Sequence, residues 1–410
     1  MEVLHGDILT HGPQTKAFEQ EFAGFVGGGA QCVAVSSCMA ALHLAYLTLG
    51  IGPGDEVLVP AQTHVATVHA VEAVGARPVF VDCRPETGNI DPDRLESLVT
   101  ERTRAIGLVH FIGIPCEMDA IMDVASRHNL RVVEDCALAV GAKYKGKHVG
   151  LIGDAGCFSF YPVKHITTGE GGMFVSRHKE LAEKATKVRG FGVDRSYAQR
   201  AASGMYDVTC WGLNYRMSEI QAALGRVQLS RVGEILERRC RNFRALKQAL
   251  AGQQNLRVLD APGGGRLGDG PVGPACRAGQ LLVGQVSQPV NQADRLETCP
   301  TSAARQAGPT EVENSHYCLS VVLGGALAGR RDEVTVKLKE AGVSVSVYYP
   351  QPVPRMVYYR EKYGYDAPAY ARAAAISDQS IALPVGPHLT EDDVRYVADA
   401  LLRVIGELTT

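Results

Sequence analysis

A chain of 410 residues, 46% hydrophobic and 21% charged, exceeds the needs of one ordinary core and reads as a globular protein with one large and one smaller domain. Its formal net charge of −2, without a basic stripe, gives no electrostatic reason to expect nucleic acid, and no apolar run reaches bilayer-spanning length. The opening MEVLHGDILTHG lacks the pattern of a secretory leader, and the 11 cysteines are scattered without CxxC pairs or Cys/His ligand spacing; a reducing cytoplasm is expected, with no metal site and no disulfide framework.

In chain order, Thr15 is the candidate cap of a helix whose Phe18, Phe22 and Phe25 recur at helical spacing and which ends at Gly27-Gly28-Gly29. A strand over 32–35 then passes through Ser36-Ser37-Cys38-Met39 straight into the apolar helix AALHLAYLTLG. Such a turn aims the free N–H groups of a helix start at one point, where the helix dipole favours phosphate. After the turn Gly52-Pro53-Gly54-Asp55 come alternating units: strand 56–60, helix 66–74, strand 78–82, strand 105–111, helix 118–128 and strand 130–135, the last ending in two acids. This alternation predicts an α/β fold with a mostly parallel sheet covered on both faces, and ligands in such sheets bind outside the carboxyl ends of the strands.

The run CFSFY, over 157–161, reads as a buried strand ended by Pro162, which puts Lys164 just past a strand end. Gly169, Gly171 and Gly172 let the following turn bend sharply. A lysine before a hairpin is ordinarily a solvated surface residue. On a rigid strand end in a partly apolar site, the same amine loses its proton more readily and attacks carbonyls. Ser36, His64, Asp135, Ser159 and Lys164 all fall at or just past predicted strand ends; each alone reads equally well as a cap or a structural polar group, and together they mark a candidate site.

A returning strand over 173–176 and the charged helix HKELAEKATKVRG follow. Ser218 then caps the long amphipathic EIQAALGRVQLSRVGEILERRCRNFRALKQAL, which leads from a large domain, 1–235, into a small one, 236–410. The tract at about 253–313, rich in glycine and proline near its start and without periodicity, is expected to be an irregular insert without chemistry. A strand over 317–323, a helix over 330–341, a strand over 343–348 and a terminal helix over 391–405 complete a small α+β domain.

Five stretches in this order, ALHLAYLTLGIGPGDEVLVP, GARPVFVD, VEDCALAVGA, GDAGCFSFYPVKHITTGEGGM and GLNYRMSEIQAALGRVQL, resemble the DegT/DnrJ/EryC1/StrS sugar aminotransferases. These belong to the fold-type-I enzymes that use pyridoxal 5'-phosphate, and the likeness covers about 10–250 and 315–405. The resemblance implies a fold-type-I large domain with a seven-stranded sheet, a smaller C-terminal domain, and a homodimer with a shared active site. It implies transfer of an amino group from glutamate or glutamine to a keto-sugar, nucleotide-linked, in amino-sugar, polysaccharide or antibiotic-sugar synthesis. By the same resemblance Lys164 bonds the cofactor as a Schiff base and shuttles a proton, and Asp135 pairs with the pyridine nitrogen. Ser159 and the backbone amides of Cys38 and Met39 bind the phosphate, Asn214 reaches it from the partner subunit, and His64 and Leu138 cover the two ring faces. Gly169, Glu170 and Gly171 shape the adjoining turn, with Glu170 ordering it.

Two departures stand out. The family usually has threonine where Met39 stands and glutamine or histidine where Leu138 stands, and losing both polar contacts costs about 1–3 kcal/mol if nothing replaces them. They favour the competing reading of a diverged, non-enzymatic member. A dehydratase is the other alternative, but dehydratase relatives carry histidine in place of the lysine, and Lys164 is present; nothing specific supports a lyase.

Overall fold

The computed structural model describes residues 2–10, 12–194, 205–261 and 312–409. Helix α1 (Pro13–Val26) begins ahead of the expected cap, because Pro13 occupies the first helical position, where its missing N–H costs nothing. Thr15 therefore lies inside the helix, and the cap comes from elsewhere in the chain. The buried carboxylate of Glu219 accepts the N–H groups of Gly12 (3.0 Å), Gln14 (2.7 Å) and Thr15 (3.0 Å), and also the Thr15 hydroxyl. Phe18 and Phe22 are buried, and the helix ends at Gly27, whose φ of 73° suits glycine.

Strand β1 (Gln31–Val35) leads into α2 (Cys38–Thr48), a helix apolar nearly all round and correspondingly buried. Then come β2 (Glu56–Pro60), α3 (Val65–Ala73), β3 (Arg77–Val81), β4 (Thr103–Val109), α4 (Met118–Arg127) and β5 (Arg131–Asp135). A small hairpin of β6 (Lys143–Tyr144) and β7 (Lys147–His148) precedes β8 (Ala155–Ser159), β9 (Gly172–Ser176) and α5 (Lys179–Val188). The seven-stranded sheet has the order β1-β9-β8-β5-β4-β2-β3. Neighbours from β8 through β3 are parallel, and β9 runs antiparallel to both β8 and β1, so the sheet is mostly parallel as expected.

The strand expected over 157–161 sits two residues earlier. Phe160 leaves it because its N–H bonds to the Gly171 carbonyl (2.9 Å) and its carbonyl accepts from Thr168 (2.9 Å), closing a loop that carries Lys164. Ser218 does cap α6 (Glu219–Ser230), in a reciprocal capping box with Gln221. The long helix beyond it is broken at Arg231 and continues as α7 (Val232–Ala249). The Ser230 hydroxyl bonds back to the Val227 carbonyl at 2.8 Å, a local competitor that bends helices.

Part of the tract expected to be irregular is ordered. Strand β10 (Leu256–Val258) and strand β11 (Val312–Glu313) both lie in it, the latter paired with β6; residues 262–311 are outside the described residues. Then follow β12 (Leu319–Leu323), α8 (Arg331–Glu340), α9 (Val357–Tyr363), α10 (Ala371–Gln379), β13 (Ser380–Leu383) and α11 (Glu391–Thr409). The antiparallel sheet β10-β12-β13 packs against α7, α8 and α11. The strand expected over 343–348 does not form; that segment meets the sheet only at a bridge between Ser346 and Ala382. It is drawn off at Tyr348, whose carbonyl accepts from Gln62 Nε2 (3.1 Å) and whose hydroxyl bonds Tyr317 (3.1 Å).

The end of β3 ties the two sheets together: Asp82 accepts the N–H groups of Arg372 (3.2 Å) and Ala373 (2.9 Å) at the start of α10. Among the described residues no helix is long and apolar enough to cross a membrane. Because Glu219 satisfies several buried donors at once, Glu219→Ala should lower stability by about 2–4 kcal/mol, read as a fall in the urea midpoint, and Glu219→Gln by less.

Candidate active site

The site forms where the carboxyl ends of the parallel strands meet the N-terminus of α2. Ser37 caps that helix by accepting the Ala40 N–H (3.1 Å), and the helical ladder supplies no acceptor for the amides of Cys38 and Met39. Gly172, at the start of β9, lies under this turn: a Cβ there would come within 2.5 Å of the Ser37 carbonyl carbon and 2.7 Å of the Cys38 nitrogen. In the ladder Gly172 pairs with Ser159, the buried last residue of β8. Glycine at 172 thus lets β9 pass directly under the start of α2, which brings Ser159 next to the turn bearing the Cys38 and Met39 amides. The side chain of Met39 is 37% exposed, while that of Cys38 is turned inward.

Asp135, the last residue of β5, is buried beside this turn. One carboxylate oxygen accepts from the Thr67 hydroxyl (2.7 Å); the other accepts from the Ala137 N–H (3.0 Å) and lies 3.8 Å from the Cys38 sulfur. Thr67 did not figure among the expected residues, although it lies in the first turn of α3 with its hydroxyl 2.7 Å from that of Thr63, just before the helix cap.

Lys164 is partly buried, and burial holds its amine below the ordinary lysine range, with Cys38 and Asp135 drawing it back up. Its Nζ lies 5.4 Å from the ring centroid of Tyr317, a second residue that sequence reasoning missed. Burial lowers the His64 imidazole, Asp135 raises it and Lys164 lowers it further, so these three residues share one neighbourhood. His64 caps α3, its Nδ1 accepting from Ala66 (3.2 Å), and its ring meets that of Tyr349 edge-on at 5.4 Å. Burial pushes the Cys38 thiol well up, so it stays protonated.

Leu138 is buried in the turn after β5, where its carbonyl accepts from the Ser315 hydroxyl (2.7 Å). Asn214 is exposed, its Oδ1 accepting from Arg216 Nε (2.8 Å), in a segment whose next residue, Tyr215, accepts from the Ser36 N–H (2.8 Å). Glu170 orders its turn through its backbone: the carbonyl accepts from the Thr168 hydroxyl (2.6 Å) and from Gln221 Nε2 (2.7 Å).

His110, Glu134 and Cys136 bring potential ligand atoms within 4.8 Å of one another. They are already occupied by protein: Glu134 accepts from His110 (3.0 Å) and from the amides of Gly150 (2.7 Å), Ile152 (2.8 Å) and Gly153 (2.6 Å), and His110 Nδ1 accepts from Cys116 (3.1 Å). Burial raises the Glu134 carboxyl, but these bonds outweigh it and keep the group ionised.

The donor set suits pyridoxal 5'-phosphate. A helix N-terminus with a serine hydroxyl fits a phosphate, a buried carboxylate fits a protonated ring nitrogen, and a partly desolvated lysine fits an aldehyde. Comparison with known proteins agrees. A sequence model of the DegT/DnrJ/EryC1/StrS aminotransferase family matches residues 1–264 and 287–402, reaching further into the 253–313 tract than the motifs alone did. The spore coat polysaccharide biosynthesis protein SpsC of Bacillus subtilis is 35% identical over 407 residues, covering 98% of this chain and 92% of SpsC. A GDP-perosamine synthase of Caulobacter vibrioides is 47% identical over 234 residues, 57% of this chain and 61% of that protein. The crystal structure of Streptomyces venezuelae DesV in complex with a ketimine intermediate superimposes with a TM-score of 0.80 at 31% identity, over 98% of this chain and 92% of DesV. The sequence, the sheet order and the site agree with one another: the chain belongs to the DegT/DnrJ/EryC1/StrS family of pyridoxal-phosphate-dependent aminotransferases.

Proposed function

We propose that this enzyme transfers an amino group from glutamate or glutamine to the keto group of a nucleotide-linked sugar, within amino-sugar, polysaccharide or antibiotic-sugar synthesis in the cytoplasm. Transamination of a keto-sugar follows from the family and its relatives. The nucleotide linkage is supported by the GDP-linked sugar in the name of one relative. The observation that carries the assignment of residues is that the carboxylate of Asp135 lies 3.8 Å from the Cys38 sulfur at the start of α2, with the partly buried Lys164 amine near enough for both groups to raise its affinity for a proton.

When bound, the cofactor supplies an electron sink for the carbon that loses its proton. Asp135, fixed by the Thr67 hydroxyl and the Ala137 amide, would hold the ring nitrogen's proton. The amides of Cys38 and Met39 and the Ser159 hydroxyl would hold the phosphate, with His64 and Leu138 on the two ring faces. Lys164 would bond the cofactor at rest and, when its amine is free, move the proton between donor and sugar carbons. Two half-reactions at one lysine give ping-pong kinetics. The non-enzymatic reading raised by Met39 and Leu138 is set aside, since family membership makes the chain a transaminase.

A homodimer is part of the proposal. Helix α6 exposes Ile220, Leu224 and Val227 along one stripe; Val208 and Trp211 are exposed close in sequence to Asn214, as is Phe191, whose N–H bonds the Leu213 carbonyl (3.0 Å). An apolar surface of this kind suits a second copy of the chain, and we place Asn214 of that copy against the phosphate.

With pyridoxal phosphate the protein should show a visible absorption band that glutamate bleaches as 2-oxoglutarate is released once per site; a keto-sugar nucleotide should then take up the amino group, restore the band and let 2-oxoglutarate release continue through turnover; no band would overturn the proposal. Lys164→Ala should abolish both band and turnover with the fold intact by circular dichroism. Because burial lowers the Lys164 amine, the rate of cofactor capture by the cofactor-free protein should rise with pH and level off below the ordinary lysine pKa, followed by stopped-flow absorbance. Thr67→Val, which removes the hydroxyl steadying Asp135, should reduce kcat about tenfold with little change in KM, in steady-state assays. Asn214→Ala should weaken cofactor retention on gel filtration without dissociating the dimer, and wild-type retention would count against the shared site.

A further inference from the structure

Tyr317 lies outside every motif that pointed to the site, yet its ring centroid is 5.4 Å from the Lys164 amine. The ring is buried and fixed. Its hydroxyl shares a hydrogen bond with that of Tyr348 (3.1 Å), its backbone carbonyl accepts from Arg239 Nη1 (2.9 Å), and its face leans on the His165 imidazole (5.6 Å between centroids). Two residues earlier, the Ser315 carbonyl pairs with His165 Nε2 (3.0 Å) and the Ser315 hydroxyl bonds the Leu138 carbonyl (2.7 Å). The segment entering β12 is thereby fastened to both loops that bear expected site residues.

We propose that Tyr317 is a positioning residue for Lys164: the face of its ring receives the ε-ammonium whenever that amine is free and holds it beside Asp135, ready to return its proton. An aromatic face carries negative quadrupolar charge, so it favours the ammonium over the neutral amine and adds no formal charge that would need its own partner. The titratable groups facing the amine come from several elements: Asp135 from β5, the Cys38 thiol from α2, His64 from the cap of α3, and His165 from its own loop. Burial keeps the Cys38 thiol and the Tyr317 phenol protonated and both imidazoles neutral, and Arg239, bonded to the Tyr317 carbonyl, lowers the His165 imidazole further. Asp135 and the ring therefore steady the lysine's charge against the burial that disfavours it. A lysine that must give up a proton in one half-reaction and regain one in the other needs both states within reach.

This inference rests on Lys164 being the cofactor-bonding amine, and the test separates the two. Tyr317→Phe and then mono-, di- and trifluorophenylalanine at position 317 keep the ring's shape while draining its quadrupole. The pKa of Lys164 in the cofactor-free dimer is read by competitive acetylation with mass spectrometry, and circular dichroism checks the fold. The expected result is no change with Tyr317→Phe and a stepwise fall across the fluorinated series totalling roughly half a unit to one unit, matched by Tyr317→Leu. A flat series in folded protein, or a full shift with Tyr317→Phe alone, overturns the role of the ring. The parent assignment fails separately if Lys164→Ala still gains a borohydride-stable pyridoxal adduct.

Discussion

A carboxylate in a dry pocket must have its charge answered, and the end of β5 does this twice, on opposite faces of one strand. Successive side chains of a strand point to opposite sides, so Glu134 and Asp135 cannot share an environment. Glu134 turns toward His110 and the amides of Gly150, Ile152 and Gly153, which answer its charge and tie down the loop leading to β8. Asp135 turns toward α2 and α3, where one hydroxyl and one amide hold it in place but leave acceptor capacity for a ligand. One acid is spent on structure so that its neighbour is positioned for chemistry, and the geometry of the site follows from that division.

Lys164 is fixed by a different device. Its loop is closed by the bonds of Phe160 to Gly171 and Thr168, and Gly171, at φ 158°, sits where a Cβ would strike the Thr168 hydroxyl. The loop is then covered from the other side by the segment that enters β12, through the contacts of Ser315 and Tyr317. The site is therefore built from both sheets. The large sheet contributes the acid and the helix N-terminus; the chain returning to the small sheet contributes the aromatic wall. Burial of the amine follows from this closure, and burial is what lowers its affinity for a proton.

Much of this was legible in the sequence because the signals were local. The alternating strands and helices of 56–135, the Ser218 cap and the approach of small residues to α2 are patterns within a few positions, and each reappears in the structure with ends shifted by a residue or two. What escaped notice depends on distant partners. Thr15 has the look of a cap, but the cap is Glu219, some two hundred residues away. The run over 343–348 alternates like a strand, but Gln62 and Tyr317 pull its end out of the ladder. Tyr317 carries no motif; only its meeting with Lys164 across the two sheets gives it meaning. Leu256–Val258 follows an unremarkable helix end and becomes a strand because β12 offers it an edge.

The two departures from the family pattern are also explained by where the contacts originate. A phosphate at a helix N-terminus is held chiefly by main-chain N–H groups and by the dipole behind them, and neither depends on the side chain. Methionine at 39 keeps its amide and is exposed, so in the proposed phosphate site the exchange removes one hydroxyl and leaves the backbone amides and Ser159. Leu138 likewise acts through its main chain, its carbonyl taking the Ser315 hydroxyl that anchors the segment bearing Tyr317. Glutamine or histidine, usual in the family at this position, would carry a polar group, whereas the buried leucine joins the apolar cluster that includes Val109, Ile114 and Val133 and offers only dispersion. On the proposed assignment, side chains at these two positions are free to change because the groups offered to the phosphate are mainly backbone amides.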